Sequence, residues 1–155
     1  CKMKSLISII VLSLILTSCG FQPIYNSKTS NFEIIEIENK NENKNSFLIE
    51  KVIMSLSNKG AKNKVKIQID YKQSVSTILK DNKGDPSKKK LSINVILNVK
   101  DDMDNSLVTQ SFSEEFSYDV QSDKFGMSQY EKNITDNLNN KISNDIIFLL
   151  GTLRW

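Results

Sequence analysis

Val65-Lys66-Ile67-Gln68-Ile69-Asp70-Tyr71-Lys72-Gln73-Ser74-Val75-Ser76 decides the fold. Its odd positions carry Val, Ile, Ile, Tyr, Gln and Val, while its even positions carry Lys, Gln, Asp, Lys, Ser and Ser. A period of two marks a β-strand with one face buried and one face wet. Leu91, Ile93, Val95, Leu97 and Val99 repeat the pattern downstream. Val108, Phe112, Phe116, Tyr118 and Val120 mark a third run, with Glu114 an exception on the apolar parity. Two polar stretches separate the runs, Asp81-Asn82-Lys83-Gly84-Asp85-Pro86-Ser87 and Asp101-Asp102-Met103-Asp104-Asn105. Connections this short join antiparallel neighbours, so the three runs are expected as a meander.

Before the first of these strands the period is different. Leu48, Ile49, Val52, Ile53 and Leu56 form one helical stripe within Ser46–Asn58, and Gly60 is placed as its C-terminal cap. Phe32–Glu38 reads as a further short strand, with Ile35 and Ile37 on one face. At the other end, Tyr130, Ile134, Leu138, Ile142, Ile146, Leu149 and Leu150 run down one side of a long helix. Ser128-x-x-Glu131 is expected to cap its start and Gly151 to stop it. The order is β-α-β-β-β-α, and one apolar sheet face with two amphipathic helices to cover it makes a two-layer α+β sandwich.

The 155 residues are enough for one domain with a core of its own. The chain has no histidine, which removes Ser-His-Asp and Cys-His catalysis and every His-ligated metal. Its two cysteines, Cys1 and Cys19, are not spaced for a zinc site or a dithiol. Neither G-x-G-x-x-G nor G-x-x-x-x-G-K-S/T occurs. Together these tilt against an enzyme. The net charge is +3, and without Lys2 and Lys4 it is 19 minus 18, or +1. So balanced a chain does not present the broad basic face that nucleic acid requires.

Lys2 and Lys4 precede the apolar run Leu6–Leu16, which small residues Thr17 and Ser18 close ahead of Cys19. This is the layout of a secretory signal peptide over residues 1–18. The run would span roughly 16 Å as a helix, about half of a bilayer core. Leu16-Thr17-Ser18-Cys19 resembles the bacterial lipobox, in which the cysteine thiol takes a diacylglycerol and the new amine is acylated. Cys19 is therefore the expected lipid-attachment site, the acyl chains its only appended group, and no cofactor is expected. Lipidation also explains a lone cysteine in an exported domain. Gly20 rather than Asp after the cysteine favours the outer membrane. Residues 19–31 form the lipidated N-terminus and a polar tether, and 32–155 the folded domain.

Cys19-Gly20-Phe21-Gln22-Pro23-Ile24-Tyr25 resembles the mature N-terminus of the LPS-assembly lipoprotein family, LptE, with Gln22 where members often carry Arg. The resemblance implies a four-stranded, mostly antiparallel sheet with two helices on one face. It implies an LptD-type β-barrel as partner, with the lipoprotein as a plug in its lumen. The pair would deliver lipopolysaccharide (LPS) to the outer leaflet, with no catalytic residue. A periplasmic lipid-anchored enzyme or inhibitor and a structural envelope lipoprotein are the alternatives.

Three other charged clusters stand out in the sequence. Asp101, Asp102 and Asp104 lack the remaining ligands of a calcium loop and read as a solvated turn. Glu114 and Glu115 are adjacent on a strand, so they point to opposite faces and cannot flank one bond. Lys88-Lys89-Lys90 is placed at the tip between two strands. Its plain reading is a solubilising loop; its functional reading is a contact for lipid A phosphates.

Overall fold

The structure is a computed structural model that describes residues 30–41 and 43–153. The leader, Cys19 and the tether up to residue 29 lie outside the described residues. The elements are β1 (Phe32–Asn39), α1 (Lys44–Met54), β2 (Asn63–Lys80), β3 (Pro86–Asp101), β4 (Ser106–Asp119) and α2 (Lys124–Thr152). The strands form one sheet in the order β1-β2-β3-β4. β2, β3 and β4 are the antiparallel meander, and β1 joins β2 in parallel after the α1 crossover. The order of elements and the α+β class agree with the sequence reading.

One parity of the sheet is buried. Val65, Ile67, Ile69 and Tyr71 of β2 lie beside Val99, Leu97, Val95 and Ile93 or their register neighbours in β3, all essentially without solvent contact. Both helices cover this face: Ile49 and Ile53 of α1 and Ile134, Leu138, Ile142, Ile146 and Leu150 of α2 join the same core. Each such side chain contributes about 1.5–3 kcal/mol by leaving water. The opposite face carries Lys66, Gln68, Asp70 and Lys72 on β2 and Asn94, Asn98 and Lys100 on β3, and among the described residues no helix packs there.

Several local expectations are corrected. In β1 the core face holds Phe32, Ile34 and half-buried Ile37, while Ile35, expected to share a face with Ile37, is not on it. Ile34 pairs with Val65 and Glu36 with Lys66, so Ile35 is an extra residue in a bulge and turns outward. α1 starts earlier than Ser46 and ends before Asn58. Asn43 caps it, accepting from the N–H groups of Asn45 and Ser46, while the Ser46 hydroxyl accepts from the Asn43 N–H. The Ser55 hydroxyl donates to the Val52 carbonyl 2.6 Å away, an alternative to continuing the helix. Leu48 is largely exposed, and Gly60 serves the turn into β2 at φ 86° rather than the helix end.

α2 is longer than expected at both ends. Its cap is Asp123, whose carboxylate accepts from the N–H groups of Phe125 and Gly126, so Ser128 lies inside the helix. A methyl group on Gly126 would run into that carboxylate, which ties glycine here to the cap. Gly151 is in the last turn, and Leu153 follows it as the C-cap.

The two hairpin loops share one construction. Asp81 and Asp101 each accept, through Oδ1, from the N–H groups two and four residues on. Each loop closes with a backbone bond to its fifth residue, Asp81 N–H to Asp85 and Asp101 N–H to Asn105. The fourth position is left-handed in both, Gly84 at φ 88° and Asp104 at φ 67°.

Candidate functional site

The lysine run is not at a loop tip. Lys88, Lys89 and Lys90 are residues of β3, hydrogen-bonded on one side to the far end of β2 and on the other to Ser117–Asp119 of β4. Strand alternation therefore divides them. Lys88 and Lys90 project from the outer face, and Lys89 from the helix side. On the outer face Lys90 lies 3.0 Å from Glu115 and Lys88 3.9 Å from Asp119. On the inner face Lys89 lies 3.6 Å from Glu131 of α2.

Glu131, expected as a capping residue, is the centre of a small polar junction. It accepts a 2.6 Å hydrogen bond from the Tyr118 hydroxyl as well as facing Lys89. Burial of Tyr118, and then the hydrogen bond and charge of Glu131, hold its phenol well above the ordinary value. Tyr130 meets the Tyr118 ring edge-on at 6.1 Å. The junction fastens the first turns of α2 to β3 and β4.

Lys88 and Lys90 are i and i+2 on one strand, about 7 Å apart, close enough to share one phosphate. Each already sits beside a carboxylate in an exposed setting, so an incoming anion would compete with Asp119 and Glu115. Lys89 cannot join them without leaving the helix face. Beside the lysines, the part of β2 beyond Gln73 extends past helix cover and leaves Val75, Ile78 and Leu79 exposed. Sequence reading assigned Val75 to the core by parity. The signal it passed over was polar Gln73 two residues earlier, where the buried run ends.

Glu114 stands on the buried parity as expected, and Lys141 of α2 answers it at 2.7 Å. That ion pair raises the Lys141 ammonium pKa. Asp101, Asp102 and Asp104 form the turn described above. Hydrogen bonds from the Asn105 side chain and backbone hold the Asp101 carboxyl below its ordinary range, and Asp104 binds Lys66 at 2.9 Å. Among the described residues no group of three His, Cys, Asp or Glu side chains is placed to hold a metal.

A further polar group crosses the core between the helices. The Tyr71 hydroxyl lies 3.1 Å from both Gln73 Oε1 and Asn139 Oδ1, and Asn45 Nδ2 donates to Gln73 at 2.8 Å. Burial raises the Tyr71 phenol pKa. The group links β2 to both helices, a structural task. A groove of about 420 Å³ beside the start of α1 is lined by Ile37, Asn39, Asn43, Lys44, Ser46, Phe47 and Glu50.

Solved structures share this arrangement of sheet and helices. The chain is similar to a lipoprotein B from Nitrosomonas europaea, with a TM-score of 0.61 and 16% identity over 83% of this chain and 88% of that one. It is similar to the rare lipoprotein B from Shewanella oneidensis, with a TM-score of 0.58 and 8% identity over 77% of this chain and 94% of that one. A lipoprotein from Caulobacter crescentus gives a TM-score of 0.53 and 13% identity over 79% and 88% of the two chains. At these identities the likeness establishes a common fold, one found in bacterial lipoproteins. No protein-family model matches the chain, and no curated protein sequence does so. Among the described residues no helix is long and apolar enough to cross a membrane.

Proposed function

We propose that the chain is a lipid-anchored component of the outer-membrane machinery that assembles LPS. In this reading Cys19 carries the acyl anchor, the domain faces the periplasm, and it seats in the lumen of an LptD-type β-barrel. There it supports assembly of the barrel and delivery of LPS to the outer leaflet. The carrying observation is the lipobox Leu16-Thr17-Ser18-Cys19 running directly into Gly20-Phe21-Gln22-Pro23-Ile24-Tyr25. A β-α-β-β-β-α domain of the kind found in bacterial lipoproteins supports it.

Capture of the mature chain from detergent-extracted outer membranes tests the partnership. A large β-barrel recovered in constant ratio is the expected result; its absence overturns the barrel reading. Intact mass tests the anchor separately: the mature protein should carry acyl groups on Cys19, and Cys19→Ala should abolish them. For LPS, Lys88 and Lys90 on the outer face of β3 are the proposed phosphate contact, and Lys89, which faces Glu131 of α2, is left out of it. Changing Lys88 and Lys90 together to serine should weaken binding of LPS most at low ionic strength, because exposed charges are screened over about 8–10 Å at physiological salt. Equal affinity of the double variant and wild type at low salt would assign these lysines to solubility and internal ion pairs.

A further inference from the structure

At the end of the sandwich away from the lysine row a cavity of about 360 Å³ opens between the start of β2, the β3–β4 loop and the end of α2. Val65, Leu107 and Leu153 form its apolar wall, and exposed Lys62, Lys64 and Asp102 stand around it. Leu107 is there because of a break in the strand. The register of β4 passes from Val108 opposite Val99 to Ser106 opposite Lys100, which leaves Leu107 as an extra residue in a bulge. Alternation from Val108 would send its side chain to the polar face of the sheet. The bulge turns it instead into the cavity that Val65 lines from the helix face, where it is still 49% exposed.

The end of α2 brings the chain to the same place. Leu153 packs against the core and lines the cavity, and its N–H donates to the Leu149 carbonyl. Its backbone is extended, with φ −63° and ψ 134°, so the chain leaves the helix axis here. Arg154 and Trp155 follow, outside the described residues. An extended continuation returns to the same side at every second residue and advances about 7 Å in doing so. Trp155 is therefore within reach of the cavity on the side that Leu153 faces, and Arg154 is on the other side.

We infer that this cavity is the docking site of the Trp155 side chain. An indole has an apolar two-ring body, one N–H donor and an electron-rich face. The cavity answers each of them. Leu107, Leu153 and Val65 meet the body. Asp102 accepts from the N–H: the carboxylate of its neighbour Asp101 is engaged by Met103 and Asn105, whereas that of Asp102 accepts no hydrogen bond among the described residues. Lys62 and Lys64 supply a cation for the ring face. Arg154 adds a positive charge beyond the carbonyl end of α2, whose last turn has no basic residue. The docked indole ties α2 to β2 and to the β3–β4 loop, at the end of the domain where Asn63 holds Asn31. The inference is independent of the barrel reading.

Trp155 is the one tryptophan in the sequence, so its fluorescence reads the site without a label. In the full mature chain, purified in detergent, its emission should be blue-shifted from the value in urea, and acrylamide should quench it severalfold less. Leu107→Asn alters a half-exposed side chain and should move both readings toward their urea values while leaving the far-UV circular dichroism unchanged. Asp102→Ala should do the same in part. Met103→Ala, in the same loop but 80% exposed and outside the cavity wall, should change neither reading. A detergent with brominated chains separates burial in the protein from burial in the micelle, and should quench Trp155 only weakly. Emission at the urea position or indifference to Leu107→Asn would overturn the proposal. Strong quenching by the brominated detergent would overturn it too, by assigning Trp155 to the lipid surface.

Discussion

Ile142→Ala examines the central premise of the fold, that α2 and the sheet share one core. Ile142 lies in the middle of α2 and is fully buried among the strand residues. The substitution removes three carbons, about 2.4 kcal/mol at about 0.8 kcal/mol per buried CH₂. Because the surrounding strands are hydrogen-bonded on both sides and cannot collapse inward, a cavity term adds to this. A total loss of about 3–4 kcal/mol is expected, within the range seen for such truncations. Phe148→Ala on the same helix is the control: Phe148 is 62% exposed, and its loss should stay within about 0.5 kcal/mol. Urea unfolding followed by far-UV circular dichroism measures both. A loss below about 1 kcal/mol for Ile142→Ala, or a larger one for Phe148→Ala, would mean that α2 turns a different face to the sheet.

Four smaller perturbations follow from the local geometry. Asn43→Ala removes the acceptor for two N–H groups at the start of α1 and should cost about 1 kcal/mol in the same urea assay. Gly84→Ala meets no neighbouring atom but forces a side chain onto a left-handed residue, and should cost about 1 kcal/mol. Asp104→Gly, at the equivalent position of the other hairpin, relieves the same conformation and should be less harmful than Gly84→Ala. Tyr118 governs the alkaline limb of stability. Its phenol pKa is raised in the fold, so the stability it contributes is complete below the unfolded value of 10.0 and declines as pH rises beyond it toward the folded value. Tyr118→Phe should therefore flatten the fall in urea midpoint above pH 10; an unchanged slope would show that Tyr118 does not carry it.

The sheet was legible in the sequence because its buried parity survives over three long strands, and a period of two has no helical counterpart. What escaped reading depends on contacts between distant residues. Ile35 looked like a partner for Ile37 because a bulge leaves no mark in the alternation. The start of α2 is legible only late because Ser128-x-x-Glu131 imitates a capping box and Gly126 is a poor helix former, although Met127 of the first turn belongs to the core. Lys88-Lys89-Lys90 read as a loop because three lysines show no pattern; pairing to strands on both sides overrides that weak local preference. Glu114 seemed misplaced until α2 brought Lys141 across from 27 residues away. For the candidate site, the residue types were legible at the lysine row but their division between two faces was not. Cys19 rests wholly on the motif around it.

The 18 residues of β2 also set a length scale. At about 3.3 Å per residue the strand runs roughly 55 Å. Asn63 at its start lies beside Asn31, one residue past the first described residue, and Lys80 at its finish opens the lysine-flanked hairpin. The strand thus works as a ruler, with the end beside Asn31 at zero and the exposed Ile78 and Leu79 near its far mark. For a chain tethered through Cys19, an upright domain would carry this hairpin beyond the thickness of the roughly 30 Å hydrocarbon layer that holds the anchor. Tilting the domain would sweep the same hairpin through an arc back toward that surface. Depth from the bilayer then becomes a function of one angle, and fluorescence quenching from a label at position 83 would read that angle directly.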